Sequence, residues 1–305
     1  MFFSSLTRAF ALFLPLVTLV SLTLAAEFKQ ILNFGDNPGH ANMYIYVPDR
    51  LALIPAIVVA VIHQCGGSAL EESQFTHYQQ YADSWGFIVI YPESVRDYKC
   101  WDVNRYESLH HYGGSDSLSI VNMVHWALVK YLGNPKRVYA TGWSSGALMS
   151  QTLAAAYPEV FAGFSAFSGA PYGCLKDSPA SSLQAADLSC IQGKIIKSPQ
   201  QWGDLARSAY PGFFPLPIIN PRPKMQLWHG TEDDVITYAV LNEEIKQWTN
   251  VFGVTFSHNE TDTPRPGYTK MVYGDGSQLV VYSCQGVGHR IPNEEVTVLK
   301  WFGIL

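Results

Sequence analysis

Gly142-Trp143-Ser144-Ser145-Gly146 is the stretch that most limits what this chain can fold into. Before it runs Arg137-Val138-Tyr139-Ala140-Thr141, β-branched and aromatic, which reads as a short buried strand. After it, Ala147 to Ala156 is rich in good helix formers and is stopped by Pro158. A strand, a G-x-S-x-G turn and a helix in that order are the setting of a nucleophile elbow. The turn is too tight for Cβ atoms on both flanks, hence the glycines, and it lifts the serine hydroxyl clear of the sheet edge. Ser144 is therefore the candidate nucleophile; a Gly/Ser-rich turn that merely joins two elements is the structural alternative.

A serine hydroxyl needs a base, and the base needs a group to orient it. Behind such an elbow the partners follow in chain order, acid first and then histidine. Lys224-Met225-Gln226-Leu227-Trp228 is an apolar strand running into His229-Gly230-Thr231-Glu232-Asp233-Asp234. Leu279-Val280-Val281-Tyr282-Ser283 is another, followed by Gly286-Val287-Gly288-His289. Each puts a titratable side chain just past a strand's carboxyl end, where open α/β sheets gather their chemistry. Asp233 is assigned as the acid and His289 as the base. Glu232 and Asp234 compete for the first role, and His63, His77, His110, His111, His125, His229 and His258 for the second.

Acyl transfer also requires two backbone N–H groups aimed at the developing oxyanion. Ser145, at the N-terminus of the new helix, supplies one. The other comes from the loop after an early central strand. Ala56 to Ile62 reads as such a strand and ends in His63-Gln64-Cys65-Gly66-Gly67, so the Cys65 amide is the second donor. Trp101 and Trp202 are candidate substrate contacts, with core packing as the equal alternative.

Several segments together resemble the fungal secreted acetylxylan esterases of carbohydrate esterase family 1, in the polyhydroxybutyrate-depolymerase-like branch of the α/β-hydrolases. They are His63-x-Cys65, Phe87 to Ser94, Cys100-Trp101-Asp102-Val103, Gly113 to Ser117, the Ser144 elbow, Pro171 to Cys174, Trp202 to Gly212 and Gln285 to His289. The match runs from about Asn42 to the C-terminus. The resemblance implies an α/β-hydrolase fold and a triad of Ser144, Asp233 and His289. It also implies hydrolysis of acetyl esters on xylan through an acetyl-enzyme, with acetylated xylan or a related plant cell-wall polysaccharide as partner. Feruloyl esterase or polyester depolymerase is the alternative, because one triad serves any accessible ester. An inactive wall-binding homologue is a third reading, but no triad member is missing. Three features depart from the family's pattern: Trp143, which bears on the pocket wall; the long apolar Phe213–Pro223 segment; and Ile62, an extra residue before His63 that would shift the oxyanion loop.

Residues 1–26 carry one positive residue, Arg8, then an apolar run ending in small residues, which predicts a secretory signal peptide and an extracellular protein. The remaining 27–305 suits one catalytic domain with a sizeable core. The net charge of −5 and the lack of a Lys/Arg cluster argue against nucleic acid or an anionic membrane as partner. No metal, nucleotide or other cofactor motif occurs. The five cysteines are an odd number for an oxidising compartment. Loop positions pair Cys65 with Cys100 and Cys174 with Cys190, leaving Cys284 free, although the sequence by itself leaves connectivity open. Asn259-Glu260-Thr261 is a glycosylation sequon in a polar stretch expected to be an exposed loop.

The coarse element pattern predicts strands at Asn42–Tyr46, Ala56–Ile62, Phe87–Ile90 and Ala162–Ser168, then Lys224–Trp228 and a final strand after a hairpin at Gly274-Asp275-Gly276. Helices are predicted at Phe75–Trp85, Asp116–Tyr131, Gln201–Ala209 and Ala239–Val251, the third inside a long Pro/Ser/Gly-rich insertion from Cys174 to Pro223. Alternating strands and helices predict a mostly parallel central sheet covered on both faces.

Overall fold

A computed structural model describes residues 26–213 and 222–305 of the chain. The predicted signal peptide and most of the Phe213–Pro223 segment lie outside the described residues. The strands are β1 (Glu27–Ile31), β2 (Asn42–Val47), β3 (Ile57–Ile62), β4 (Ile88–Glu93), β5 (Val138–Trp143), β6 (Gly163–Phe167), β7 (Lys224–Gly230), β8 (Phe256–Thr261), β9 (Tyr268–Tyr273) and β10 (Leu279–Cys284). They form one sheet in the order β1-β2-β4-β3-β5-β6-β7-β10-β9-β8. Its centre, from β4 through β10, is parallel, and the two strands at each edge are antiparallel.

The helices are α1 (Ala69–Phe75), α2 (Tyr78–Trp85), α3 (Tyr106–Leu109), α4 (Ser115–Tyr131), α5 (Ser145–Ala156), α6 (Pro199–Arg207), α7 (Val240–Phe252) and α8 (Glu295–Phe302). The helix expected from Phe75 to Trp85 is α2, which starts at Tyr78, and a separate helix, α1, precedes it. Thr76 stops α1 by turning to extended backbone, while its N–H and hydroxyl both donate to the Glu72 carbonyl. This is local side-chain competition that helical periodicity does not reveal. Helix α6 starts at Pro199, inside a capping box in which the Ser198 hydroxyl and the Gln201 side chain each bond the other's backbone.

Side chains on the central strands alternate between two buried layers. Ile88, Ile90, Leu279 and Val281 join the core on one face, and Val89, Tyr91, Val280 and Tyr282 join that on the other. Burial on both faces explains why these strands read as nearly continuous apolar runs. On the second face Trp143, Phe167, Trp228 and Tyr282 sit opposite one another on four neighbouring strands. They stack with centroids 4.8, 5.2 and 3.7 Å apart. Trp143 therefore belongs to this ladder. The pairing of β3 with β5 advances from Val59 to Ile62 while its partner advances from Ala140 to Gly142, so one extra residue on β3 is taken up by a bulge just before His63.

Asn259 is exposed, but on edge strand β8 and not in a loop. The sequence reading missed β8 because its apolar content is low; it faces water and pairs along one side only.

Trp228 is buried in the middle of the ladder and donates its indole N–H to Ser165 Oγ at 3.1 Å. Truncation to Ala is expected to cost about 3–5 kcal/mol, from lost burial and the cavity left behind. Urea unfolding checks this, and a change near zero would show that the ladder is not a continuous core.

Candidate active site

Ser144 follows β5 and caps α5 with φ 51° and ψ −118°, a conformation costly for any residue with a Cβ. The tightness of the turn explains the flanking glycines. A Cβ on Gly142 would collide with the Gly146 carbonyl, and one on Gly146 with the Ile62 carbonyl oxygen. The Ser144 N–H donates to the Phe167 carbonyl at 2.9 Å, which pins the turn to β6. Ser145 is the first residue of α5, so its N–H has no intrahelical acceptor.

Asp233 lies on the loop after β7 and is buried, whereas Glu232 and Asp234 on either side are exposed. Its Oδ1 accepts the N–H groups of Val235 and Ile236 at 3.0 and 2.9 Å. Its two carboxylate oxygens lie 3.0 and 2.8 Å from His289 Nδ1. Burial alone would raise its pKa, but hydrogen bonds from His229 and His289 outweigh that and hold the carboxyl well below the usual range. An ionised Asp233 makes Nδ1 of His289 the protonated nitrogen and leaves Nε2 as the basic one. The His289 carbonyl accepts from Ser168 Oγ at 2.7 Å, which anchors the loop after β10 to the end of β6.

Ser144, Ser145, Gln64, Cys65 and His289 line one cavity of about 250 Å³. Its other walls are mainly aliphatic, among them Val103, Leu148, Leu175, Leu183, Ile191 and Ile236. A larger polar cavity of about 590 Å³, lined by Arg96, Asp102, Asn104 and Arg105, adjoins it at Ser181. Trp143 is absent from the walls of the Ser144 cavity, which corrects the expectation drawn from its bulk.

The two tryptophans proposed as substrate contacts are core residues. Trp101 is 0 % exposed; its indole N–H donates to the His63 carbonyl and its backbone N–H to Ser145 Oγ, both at 2.9 Å. It braces both loops beside Ser144 from beneath. Trp202 is likewise 0 % exposed and donates to Glu243 Oε2 at 2.7 Å. Neither ring offers a face to a sugar.

Disulfides join Cys65 to Cys100 and Cys174 to Cys190, and Cys284 is a buried thiol. The first ties the loop after β3 to the segment holding Trp101. The second closes a segment that brings Leu175, Leu183 and Ile191 to the cavity.

The competing histidines have structural partners. His63 is buried; its Nδ1–H donates to the Gln64 carbonyl at 2.7 Å and its Nε2 accepts the Ser94 N–H at 3.0 Å. Burial lowers its pKa, so the ring stays neutral and shapes the loop. His111 stacks on Tyr210 with centroids 3.6 Å apart, and His110 on Tyr106 at 3.8 Å. Sequence reasoning placed His229 only among the competitors for the base. In fact its Nε2 lies 2.8 Å from the Ile236 carbonyl and 3.2 Å from Asp233 Oδ2, while Nδ1 is 3.7 Å from Glu244 Oε2. Asp233 thus sits between two imidazoles. The signal in the sequence was a histidine closing a buried strand four residues before the acid.

The sheet order, the strained serine turn and the loops converging on it at the strands' carboxyl ends define an α/β-hydrolase. The family model for Esterase PHB depolymerase matches residues 41–193, and the chain belongs to that family. It is 50 % identical over 296 residues to feruloyl esterase B of Talaromyces funiculosus, covering 97 % of this chain and 82 % of that protein. It is 42 % identical over 280 residues to acetylxylan esterase A of Emericella nidulans, covering 91 % and 89 %. Among solved structures, the acetyl xylan esterase from Aspergillus awamori superposes with a TM-score of 0.86 at 38 % identity, covering 92 % of this chain and all of that one. The chain is a carboxylic ester hydrolase of the carbohydrate esterase type.

Burial opposes protonation of His229, but the nearby carboxylates of Asp233 and Glu244, 3.2 and 3.7 Å away, prevail and raise its pKa from 6.5 to about 9. A pKa raised on folding contributes stability that is complete below pH 6.5 and is lost as pH climbs through about 9. The melting temperature is therefore expected to fall between those pH values, and His229→Gln to flatten the fall. A variant with the wild-type slope would show that no proton is bound there.

Proposed function

We propose that the chain is a secreted serine esterase that removes hydroxycinnamoyl groups, feruloyl above all, from plant cell-wall polysaccharide. In this reading residues 27–305 form one catalytic domain behind a cleaved leader. His289 Nε2 takes the Ser144 proton as Oγ attacks the acyl carbonyl, and Asp233 holds the imidazole and stabilises its charged form. The Cys65 and Ser145 amides stabilise the oxyanion. His289 then returns the proton to the departing sugar oxygen, leaving the acyl group on Ser144. Water attacks next, losing its proton to His289, and the free acid departs as Ser144 is reprotonated.

The observation that carries the choice of acyl group is the cavity beside Ser144. An acetyl methyl fills about the space of one water molecule, roughly 30 Å³, whereas this cavity is about 250 Å³ and mostly aliphatic. A flat aromatic acid uses that volume and an acetyl group leaves most of it empty. The relative named feruloyl esterase B, at 50 % identity, supports the same choice. Acetylxylan hydrolysis is the second reading, favoured by the relative and the solved structure named for it.

Measuring ferulate and acetate release from feruloylated and acetylated xylans decides between them. Ferulate is expected to have the higher kcat/KM, and acetate dominance would reverse the order. Ser144→Ala is expected to lower kcat on either ester by on the order of 10⁶-fold. Leu183 lies at the cavity wall and is 42 % exposed, so bulk is tolerated there. Leu183→Trp is expected to suppress ferulate release and spare acetate release.

A further inference from the structure

A second cavity, of about 410 Å³, shares Gln64 with the Ser144 cavity and is otherwise lined by Glu71, Glu72, Gln74, Phe75 and Arg290. Its chemistry is the opposite of its neighbour's: amides, carboxyls, a guanidinium and one aromatic ring, with no aliphatic wall. Its place along the chain is informative as well. Gln64 precedes the proposed oxyanion donor Cys65, and Arg290 follows the proposed base His289. The leaving oxygen of an ester must lie within hydrogen-bond reach of the base that reprotonates it. The alcohol half of the substrate therefore departs along the His289 side, and Arg290, the next residue, lines this cavity.

Two details indicate that the cavity is built to hold something polar. Glu72 is 1 % exposed, and among the described residues its Oε2 has no hydrogen-bond partner. A buried carboxyl oxygen left unpaired is costly, and a ligand hydroxyl would satisfy it. Burial raises the Glu72 pKa to about 7 against the opposing pull of Arg290, so near neutrality this carboxyl both donates and accepts. The Arg290 guanidinium carbon lies 3.7 Å from the Phe75 centroid and 5.5 Å from that of Trp143, which pins the cation against the wall by cation–π contact.

We propose that this cavity is the subsite for the sugar of the leaving alcohol, and that the Glu72 carboxyl recognises one of its ring hydroxyls. The inference rests on the esterase mechanism proposed above. An ester of Ser144 then has its two halves sorted by polarity: the acyl group into the aliphatic cavity, the carbohydrate into the polar one.

The test compares wild type, Glu72→Leu and Glu72→Gln on a feruloylated arabinoxylan oligosaccharide and on methyl ferulate, which has the acyl group and no sugar. Glu72→Leu is expected to raise KM for the oligosaccharide about tenfold and to leave methyl ferulate kinetics unchanged, with Glu72→Gln recovering most of the lost affinity. Unchanged KM for the oligosaccharide in both variants overturns the subsite. Parallel losses on both esters overturn it too, by making Glu72 part of the fold and not of sugar recognition. Failure of the wild type to turn over methyl ferulate instead sinks the underlying mechanism, and the subsite with it.

Discussion

The approach of Gly146 to the end of β3 is the constraint on which the rest of this structure depends. Its Cα lies so near the Ile62 carbonyl that no side chain fits between them. That contact brings the turn after β5 and the loop after β3 to one point, which places Ser145 and Cys65 on a common cavity. The bulge before Ile62 adjusts the strand by one residue at the same point. Trp101 then braces both sides, bonding Ser145 Oγ with its backbone and the His63 carbonyl with its indole. The Cys65–Cys100 disulfide binds that brace to the loop it supports. Strain at Ser144 is held by an interlocked set of neighbours, as a non-glycine residue in this conformation requires.

Electrostatics on the opposite side of the cleft follow a second logic. A buried carboxylate is unfavourable unless it is paired, and Asp233 is paired twice over, with two backbone amides in addition. His289 is the exchangeable partner because it lines the cavity; His229 is the fixed one because it is wholly enclosed. Glu244 stands behind His229 and is itself hydrogen-bonded to Gln151 on α5, the helix that begins at the nucleophile turn. A chain of charged and polar side chains thus runs from Asp233 through His229 and Glu244 to the helix that begins at the serine turn.

Much of this was legible in the sequence where local chemistry and the fold agree. The elbow, the strands of the parallel centre and the two loops after β7 and β10 carry strong local signals, so Ser144, Asp233 and His289 stand out in the sequence, and in the structure His289 bonds Asp233 and shares a cavity with Ser144. What failed was whatever depended on the side chain's surroundings. Trp101 and Trp202 look alike to a reader seeking sugar platforms, and only packing shows that both rings are enclosed. His229 and Glu244 are far apart along the chain, so nothing local marks them as a pair. Glu72 was hidden for the same reason, on a short helix ahead of the predicted one. The cavity walls from Leu175, Leu183 and Ile191 come from a Pro/Ser-rich stretch that gives no periodic signal at all.

That last point explains how relatives named for feruloyl and for acetyl esters share one architecture. The groups proposed for bond cleavage sit at the ends of β3, β5, β7 and β10, in the rigid middle of the sheet. Many of the groups that bound the acyl space come from the disulfide-closed segment between β6 and β7, where helix α6 is the sole regular element among the described residues. Loops of that kind accept changes of length and sequence that a parallel strand cannot. Exchanging Leu183 or Ile191 alters the room beside Ser144 without touching Asp233 or the glycines of the turn. Under the proposed mechanism, acyl preference and bond cleavage therefore rest on separate parts of the fold. In the proposed mechanism the size and polarity of the wall, and not the groups that cleave the bond, set which ester is turned over, which fits the chain's similarity to relatives named for both esters.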